Sequence, residues 1–159
     1  MKERFSLDTN ILVKAFLDYE IEHRNVLAYI ENFILLLDYE NSIYKEYLKN
    51  CDCIAFQKWW CRLQQKDAFY FVSGKLNRKH LKKLKKLGCH ESKDYIFIAV
   101  AYNGKGSLIS EDSDFGKGIK GVQSPYCNIL HYIQNTMGIK VFNAAEALEL
   151  LISKIKSTI

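Results

Sequence analysis

The amino-acid sequence predicts an α/β fold built around a mostly parallel sheet. Short apolar runs, at residues 33–37 and 108–109, are typical of strands that are covered on both faces. Longer segments lie between them, and their apolar residues recur at helical spacing. The segment at residues 95–102 is apolar almost all round, which predicts a central helix. Strands that alternate with helices in this way favour βαβ units and a parallel sheet.

The predicted strands and helices alternate along all 159 residues, which we expect to form one domain. Strands are predicted at residues 5–7, 33–37, 108–109 and 139–142, whereas residues 67–72 fit either a loop or a short apolar segment. Helices are predicted at residues 11–19, 23–32, 42–65, 76–87, 92–102, 125–137 and 144–157. Ser42 is the expected N-cap of its helix, and Gly88 is the expected residue after the end of another. Asn143 with Glu146 forms a variant of the capping box.

The composition is that of an ordinary globular protein, with 48% hydrophobic and 26% charged residues. No apolar run reaches the length of a membrane span, and residues 1–4 lead into a strand rather than a signal peptide. We therefore expect a cytoplasmic protein with no membrane partner. The five cysteines are an odd number and are expected to be reduced. They include no CxxC pair, so a zinc site is not favoured.

The positive charge is concentrated in one segment. Residues 75–86 hold seven lysines and arginines and no carboxylate, whereas the net charge of the whole chain is +5. The rest of the chain therefore has a net charge of −2. A mildly acidic body with one basic segment indicates a polyanionic partner such as RNA. The alternative is that this segment is only the solvated face of a helix.

Four carboxylates fall at the same predicted edge of the sheet. Asp8 ends the first strand, and Asp112 follows the strand at residues 108–109. Glu46 lies early in the helix after the second strand, and Asp94 lies in the first turn of the central helix, where the macrodipole favours an anion. Ligands bind open parallel sheets at this edge, and divalent cations prefer carboxylate oxygens. Singly, each acid also fits a helix cap or a solvated position; together they favour a metal site.

Five segments, spread along nearly the whole chain, form a set that resembles a known family. They are Leu7-Asp-Thr-Asn10, Lys45-Glu46-Tyr47, Asp94-Tyr-Ile-Phe-Ile-Ala99, Ser110-Glu-Asp-Ser-Asp-Phe115 and Gly138-Ile-Lys-Val-Phe142. Together they are similar to the PIN-domain nucleases, including the toxin ribonucleases of the VapC type. The S/T-x-D-x-D-F string is fairly specific when it follows an Asp-Thr-Asn near the N-terminus. The resemblance implies a three-layer α/β/α sandwich and a ribonuclease that depends on Mg²⁺ or Mn²⁺.

The resemblance also implies roles for individual residues. The expected catalytic acids are Asp8, Glu46, Asp94 and Asp112. The expected metal ligands are Asp8, Asp94, Asp112 and Asp114. Supporting roles are expected for Thr9, Asn10 and Ser110. A metal at these acids would activate a water for hydrolysis of a phosphodiester, and Glu46 would bind a second ion or orient the water.

The basic segment is the candidate RNA-binding surface, because phosphate neutralisation is the main source of affinity that does not depend on sequence. The residues concerned are Lys79, Lys82, Lys83, Lys85 and Lys86. Three functions remain open from the sequence. The first is the toxin of a toxin–antitoxin pair, which is favoured because no RNA-binding domain is appended. For such a toxin the resemblance implies a homodimer and an antitoxin partner. The others are a PIN nuclease of RNA maturation or host defence, and a non-catalytic PIN-like scaffold that binds RNA or protein.

Overall fold

One five-stranded parallel sheet organises the part of the chain that the structure describes. The structure is a computed structural model, and it describes residues 1–89, 92–112, 115 and 127–158. The strands are β1 (Arg4–Leu7), β2 (Ile34–Asp38), β3 (Phe69–Val72), β4 (Ser107–Ile109) and β5 (Val141–Phe142). Their order across the sheet is β3-β2-β1-β4-β5, and every pair is parallel. The predicted α/β class and parallel sheet are confirmed.

Helices cover the two faces of this sheet and give the expected three-layer α/β/α sandwich. They are α1 (Thr9–Phe16), α2 (Ile21–Ile30), α3 (Ser42–Cys51), α4 (Ile54–Gln65), α5 (Arg78–Lys86), α6 (Ser92–Asn103), α7 (Cys127–His131), which continues as a π-helical turn (Tyr132–Thr136), and α8 (Ala144–Ser157). From β1 to β3 the chain moves across the sheet in one direction, and from β3 it returns past β1 to β4. Because both kinds of crossover are right-handed, α5 and α6 lie on the face opposite α1 and α2. Helix α8 packs on α2. On the α6 side, the Ser6 hydroxyl donates to the Phe97 carbonyl at 2.7 Å.

An aromatic cluster forms the core between α3, α4 and the strands beside them. Trp59 and Trp60 are 1% and 8% exposed, and the Trp59 indole N–H donates to the Leu27 carbonyl of α2 at 2.9 Å. The Trp60 ring stacks on Tyr44, with centroids 4.7 Å apart, and also contacts Phe69 of β3. These contacts bury both tryptophans in the core.

Two local expectations from the sequence need correction. Ser42 is not an N-cap but the first residue of α3; Asn41 precedes it at φ 61°. The cap is supplied by Asp38, whose carboxylate accepts from the backbone N–H of Ser42 and of Ile43, each at 2.9 Å.

The ambiguous segment before residue 73 is strand β3, which lies at the edge of the sheet. Helix α5 begins at Arg78, two residues later than predicted, because Asn77 is its N-cap.

Other terminal signals are confirmed. Asn143 accepts from the backbone N–H of Glu146, whose carboxylate accepts from the N–H of Asn143, so α8 begins with a full capping box. Gly88 follows α5 with φ 105°, a conformation that favours glycine. No helix in the described ranges is long and apolar enough to cross a membrane. Residues 116–126, which include the predicted start of the helix before Gly138, lie outside the described residues.

Candidate active site

The four predicted acids line one cleft at the carboxyl ends of β1 and β4. The cleft has a volume of about 340 Å³. The residues that line it are Asp8, Thr9, Asn10, Val13, Lys14, Asp18, Glu46, Asn50, Asp94, Phe97 and Asp112. A cavity of about 650 Å³ lies near Ser107, at the opposite end of β4, but Glu3 is the only carboxylate among its lining residues in the described part of the chain. Clustered carboxylates therefore distinguish the smaller cleft.

Asp8 is a buried carboxylate at the carboxyl end of β1. Its backbone N–H donates to the Ile109 carbonyl at 3.0 Å, which ties the end of β1 to the end of β4. Asp8 is 5% exposed, and its carboxylate accepts a hydrogen bond from the Ser110 hydroxyl at 2.6 Å. Burial raises the pKa of Asp8 to about 6; the Ser110 hydrogen bond opposes this shift, and the negative charge of Asp112 adds to it. The fold thus holds this carboxylate where its ionisation is unfavourable.

Ser110 links two of the acids. Its hydroxyl donates to Asp8 and accepts from the backbone N–H of Asp112 at 3.1 Å. Ser110 is fully buried, whereas Asp112 is partly exposed to the cleft. Phe115 packs this loop onto the core: its ring is buried and its N–H donates to the Asp112 carbonyl at 3.0 Å. The hydroxyl therefore fixes both the Asp8 side chain and the backbone that carries Asp112.

The other two acids come from helices that begin at the same edge of the sheet. Asp94 lies in the first turn of α6 and is 5% exposed. Glu46 lies on α3, and the Asn50 amide donates to its carboxylate at 3.0 Å. Below them, the Tyr47 hydroxyl donates to the Leu7 carbonyl at 2.5 Å, so α3 is fastened to the residue before Asp8.

The donor set fits a hydrated divalent cation. Carboxylate oxygens are the ligands that Mg²⁺ and Mn²⁺ prefer. In the described part of the chain, no three His, Cys, Asp or Glu side chains are close enough to chelate an ion by themselves. An ion here would therefore keep several waters, as Mg²⁺ usually does. The buried hydroxyl of Thr9 has no hydrogen-bond partner among the described residues, so it remains available to such a water or to a substrate.

The remaining predicted site residues have mixed outcomes. Asn10 lines the cleft, and its side-chain carbonyl oxygen accepts from the backbone N–H of Glu111 at 3.4 Å. Asp114, a predicted metal ligand, lies outside the described residues. Glu111, the neighbour of Asp112, is not among the described residues that line the cleft. Burial alone would raise its pKa, but hydrogen bonds from His23, Lys14 and the Ala144 N–H lower the pKa to about 2.

Three polar residues of the cleft were missed from the sequence, namely Lys14, Asp18 and Asn50. Helical spacing is the signal that could have found them. Lys14 lies four residues after Asn10, and Asp18 four after Lys14, along one face of α1 and its end. Asn50 lies four residues after Glu46 on α3.

The predicted RNA-binding lysines form an exposed face of α5. Lys79, Lys82, Lys83, Lys85 and Lys86 are all exposed. None of them pairs with a carboxylate in the part of the chain that the structure describes. The His80 ring, near the start of α5, contacts Tyr102, which lies near the end of α6. The Cys89 carbonyl, just after the end of α5, accepts a hydrogen bond from the hydroxyl of Tyr95, which lies near the start of α6. Helix α5 therefore runs antiparallel to α6, with its last lysines toward the end that carries Asp94.

The sequence was compared with known proteins. It matches no family model and no curated protein. Among solved structures, it is similar to a chain in the crystal structure of VapBC2 from Rickettsia felis bound to a DNA fragment from their promoter. The two chains are 11% identical with a TM-score of 0.44, and the match covers 88% of this chain and 98% of that one. A likeness of this degree carries no conclusion about function.

Proposed function

We propose that the protein is an endoribonuclease that uses Mg²⁺ or Mn²⁺ to hydrolyse RNA phosphodiesters. The observation that carries the proposal is that Asp8, Glu46, Asp94 and Asp112 line one cleft at the carboxyl ends of parallel strands. Clustered carboxylates destabilise one another in the absence of a cation. Burial is the main cause of the raised pKa of Asp8, and the negative charge of Asp112 raises that pKa further. A bound divalent cation would offset this repulsion.

Each residue of the cleft has a role in this proposal. The hydrated ion would be held, directly or through its bound waters, by Asp8, Asp94, Asp112 and Asp114. When bound, such an ion activates water and neutralises charge on the phosphoryl group. Ser110 keeps the Asp8 carboxylate oriented, and Glu46, itself held by Asn50, orients the attacking water. Because water rather than the ribose 2′-hydroxyl would attack phosphorus, and the P–O3′ bond would break, we expect products with 5′-phosphate and 3′-hydroxyl ends.

The test is cleavage of labelled single-stranded RNA and tRNA in the presence of Mg²⁺, Mn²⁺ or EDTA. We expect cleavage with a divalent ion, none with EDTA, and a loss of at least about 100-fold in the Asp8→Asn variant, since one metal ligand is removed. Asp52→Asn is the matched control, because it changes an exposed carboxylate at the end of α3, outside the cleft. Undiminished cleavage by Asp8→Asn would contradict the proposal.

The basic face of α5 supports RNA as the substrate. Its lysines are exposed and lie toward the Asp94 end of α6, so a backbone bound along α5 is directed toward the cleft. A binding surface of this kind attracts any polyanion, and the chemistry in the cleft then decides which bond is cut.

We further propose that the nuclease is the toxin of a toxin–antitoxin pair, with an antitoxin as its partner and a homodimer as its form in the cytoplasm. Support comes from a surface groove between α1, α2 and α4, where the lining side chains of Tyr19 and Ile21 are each about 70% exposed. Apolar side chains clustered on a surface are typical of protein interfaces. A short adjacent gene for a DNA-binding protein would favour this role over RNA maturation or host defence.

A further inference from the structure

Lys14 is the one cation among the described residues that line the cleft. The same lining contains five carboxylates, namely Asp8, Asp18, Glu46, Asp94 and Asp112. A phosphodiester that enters is therefore repelled by the cleft acids unless a cation lies on its path. Lysine is a suitable group for this, because its ammonium binds phosphate oxygens as a point charge. The position of Lys14 thus matters more than that of an ordinary surface lysine.

Glu111 determines where the Lys14 ammonium lies. The Lys14 Nζ atom is 2.8 Å from the Glu111 Oε1 atom. The same carboxylate is bound by the His23 Nε2 atom at 2.5 Å and by the Ala144 backbone N–H at 3.2 Å. It is therefore fixed by α1, α2 and the start of α8. A flexible lysine without this anchor would be drawn to the nearby cleft acids.

The side chains of Lys14 and Glu111 are 38% and 14% exposed. Lys14 therefore keeps much of its surface open to an incoming ligand, while its anchor is mostly enclosed. These exposures suit a lysine that must contact a substrate without forming ion pairs with the metal ligands.

We propose that Lys14 binds a non-bridging oxygen of the phosphodiester that enters the cleft, and that Glu111 is the positioning residue that holds Lys14 at the rim. This inference deepens the proposed function, since it names the contact between the cleft and a phosphodiester. Asp8 and Asp112 then remain available to the ion, because the lysine does not neutralise them.

The test measures RNA binding in an Asp8→Asn background, so it does not depend on cleavage. We compare the affinity of this variant for single-stranded RNA, over a range of salt concentrations, with and without Lys14→Met. Loss of one phosphate contact should weaken binding about 5- to 10-fold at low salt and reduce the salt slope by about 0.7. Lys14→Arg should retain most of the affinity. Lys154→Met is the matched control, because Lys154 also pairs with a glutamate, Glu3 at 3.1 Å, with 44% of its side chain exposed.

Glu111→Gln separates positioning from simple charge. Removal of an anion should tighten RNA binding if only net charge matters, whereas loss of the anchor should weaken it about 3-fold or more. With Asp8 intact, we expect kcat to fall about 10-fold in Lys14→Met and to recover partly in Lys14→Arg. An unchanged affinity and salt slope in Lys14→Met, or an equal change in Lys154→Met, would overturn the inference. Intact RNA binding without cleavage by any variant would count against the proposed function alone.

Discussion

At the scale of single residues, ionisation of Asp8 lowers the stability of the fold, but the proposed function requires the ionised form. Its pKa rises from 3.8 to about 6, first because of burial and then because of Asp112, despite the Ser110 hydrogen bond. A carboxyl group whose folded pKa is the higher one favours folding while it is protonated. Its contribution is therefore complete below pH 3.8 and is lost as the pH rises through 6. Near neutral pH, ionised Asp8 destabilises the metal-free fold by on the order of 2–3 kcal/mol.

We therefore expect Asp8→Asn to stabilise the metal-free protein while it abolishes cleavage. The free energy of unfolding should rise by about 1–3 kcal/mol near neutral pH in EDTA, and the gain should shrink as the pH falls through 6 toward 3.8. Urea denaturation at several pH values measures both effects. Mg²⁺ should narrow the difference in the free energy of unfolding between the variant and the parent, since it binds and stabilises only the parent. A variant that is no more stable than the parent, with Asp52→Asn as the reference, would count against this account of the site.

The site residues that sequence reasoning found are those that punctuate the chain. Asp8 and Asp112 interrupt apolar strands, and their position in the cleft could be predicted because parallel strands end at one edge. Lys14 and Asn50 are different. They lie inside helices among other polar residues, and which polar residue faces a cleft depends on how the helices pack.

At the scale of elements, the N-terminus of α3 couples stability to the proposed chemistry. Asp38 ends β2 and is 2% exposed. Its carboxylate satisfies the first two N–H groups of α3, and that helix carries Glu46. Loss of this cap should therefore loosen the position of Glu46 as well as weaken the fold.

We predict that Asp38→Ala lowers the free energy of unfolding by about 1–2 kcal/mol and also lowers kcat, even at a temperature where the variant is fully folded. Thermal unfolding and cleavage at saturating RNA measure the two effects. Asn77→Ala is the control, because Asn77 caps α5 by accepting from the His80 N–H at 2.9 Å, and α5 carries no cleft acid. The control should lose stability without a loss of kcat. A normal kcat in Asp38→Ala would show that this cap does not affect the active site.

Helices and strands were predictable where burial or a capping motif leaves a clear pattern in the sequence. The run that became β2 is covered on both faces, and α8 has a capping box at its start, so both were found with nearly correct limits. Strand β3 was ambiguous because it lies at the edge, where Tyr70 and Phe71 are each 43% exposed although both are aromatic. The cap of α3 was misassigned because the carboxylate that accepts from its first N–H groups belongs to Asp38, at the end of the preceding strand, and not to a residue beside the helix.

At the scale of the whole molecule, charge is divided between an acidic cleft and a basic helix. We expect replacement of Lys82, Lys83, Lys85 and Lys86 by glutamine to weaken RNA binding and to reduce its salt slope by about 2–3, because each phosphate contact contributes about 0.7. Replacement of the exposed residues Lys49, Lys58, Lys105 and Lys140 removes the same charge elsewhere and serves as the control. Filter binding over a range of salt concentrations measures both. Equal slopes in the two variants would show that only net charge matters.

The hydrogen bond between Ser110 and Asp8 joins residues that are 102 positions apart in the sequence. A contact of this span forms only after β1 and β4 have paired, and closing such a long loop is a slow step of folding. The cleft therefore does not exist in a nascent chain that stops before β4. A cell that makes this protein would be exposed to an assembled cleft only after synthesis has passed residue 112, about 70% of the way along the 159 residues.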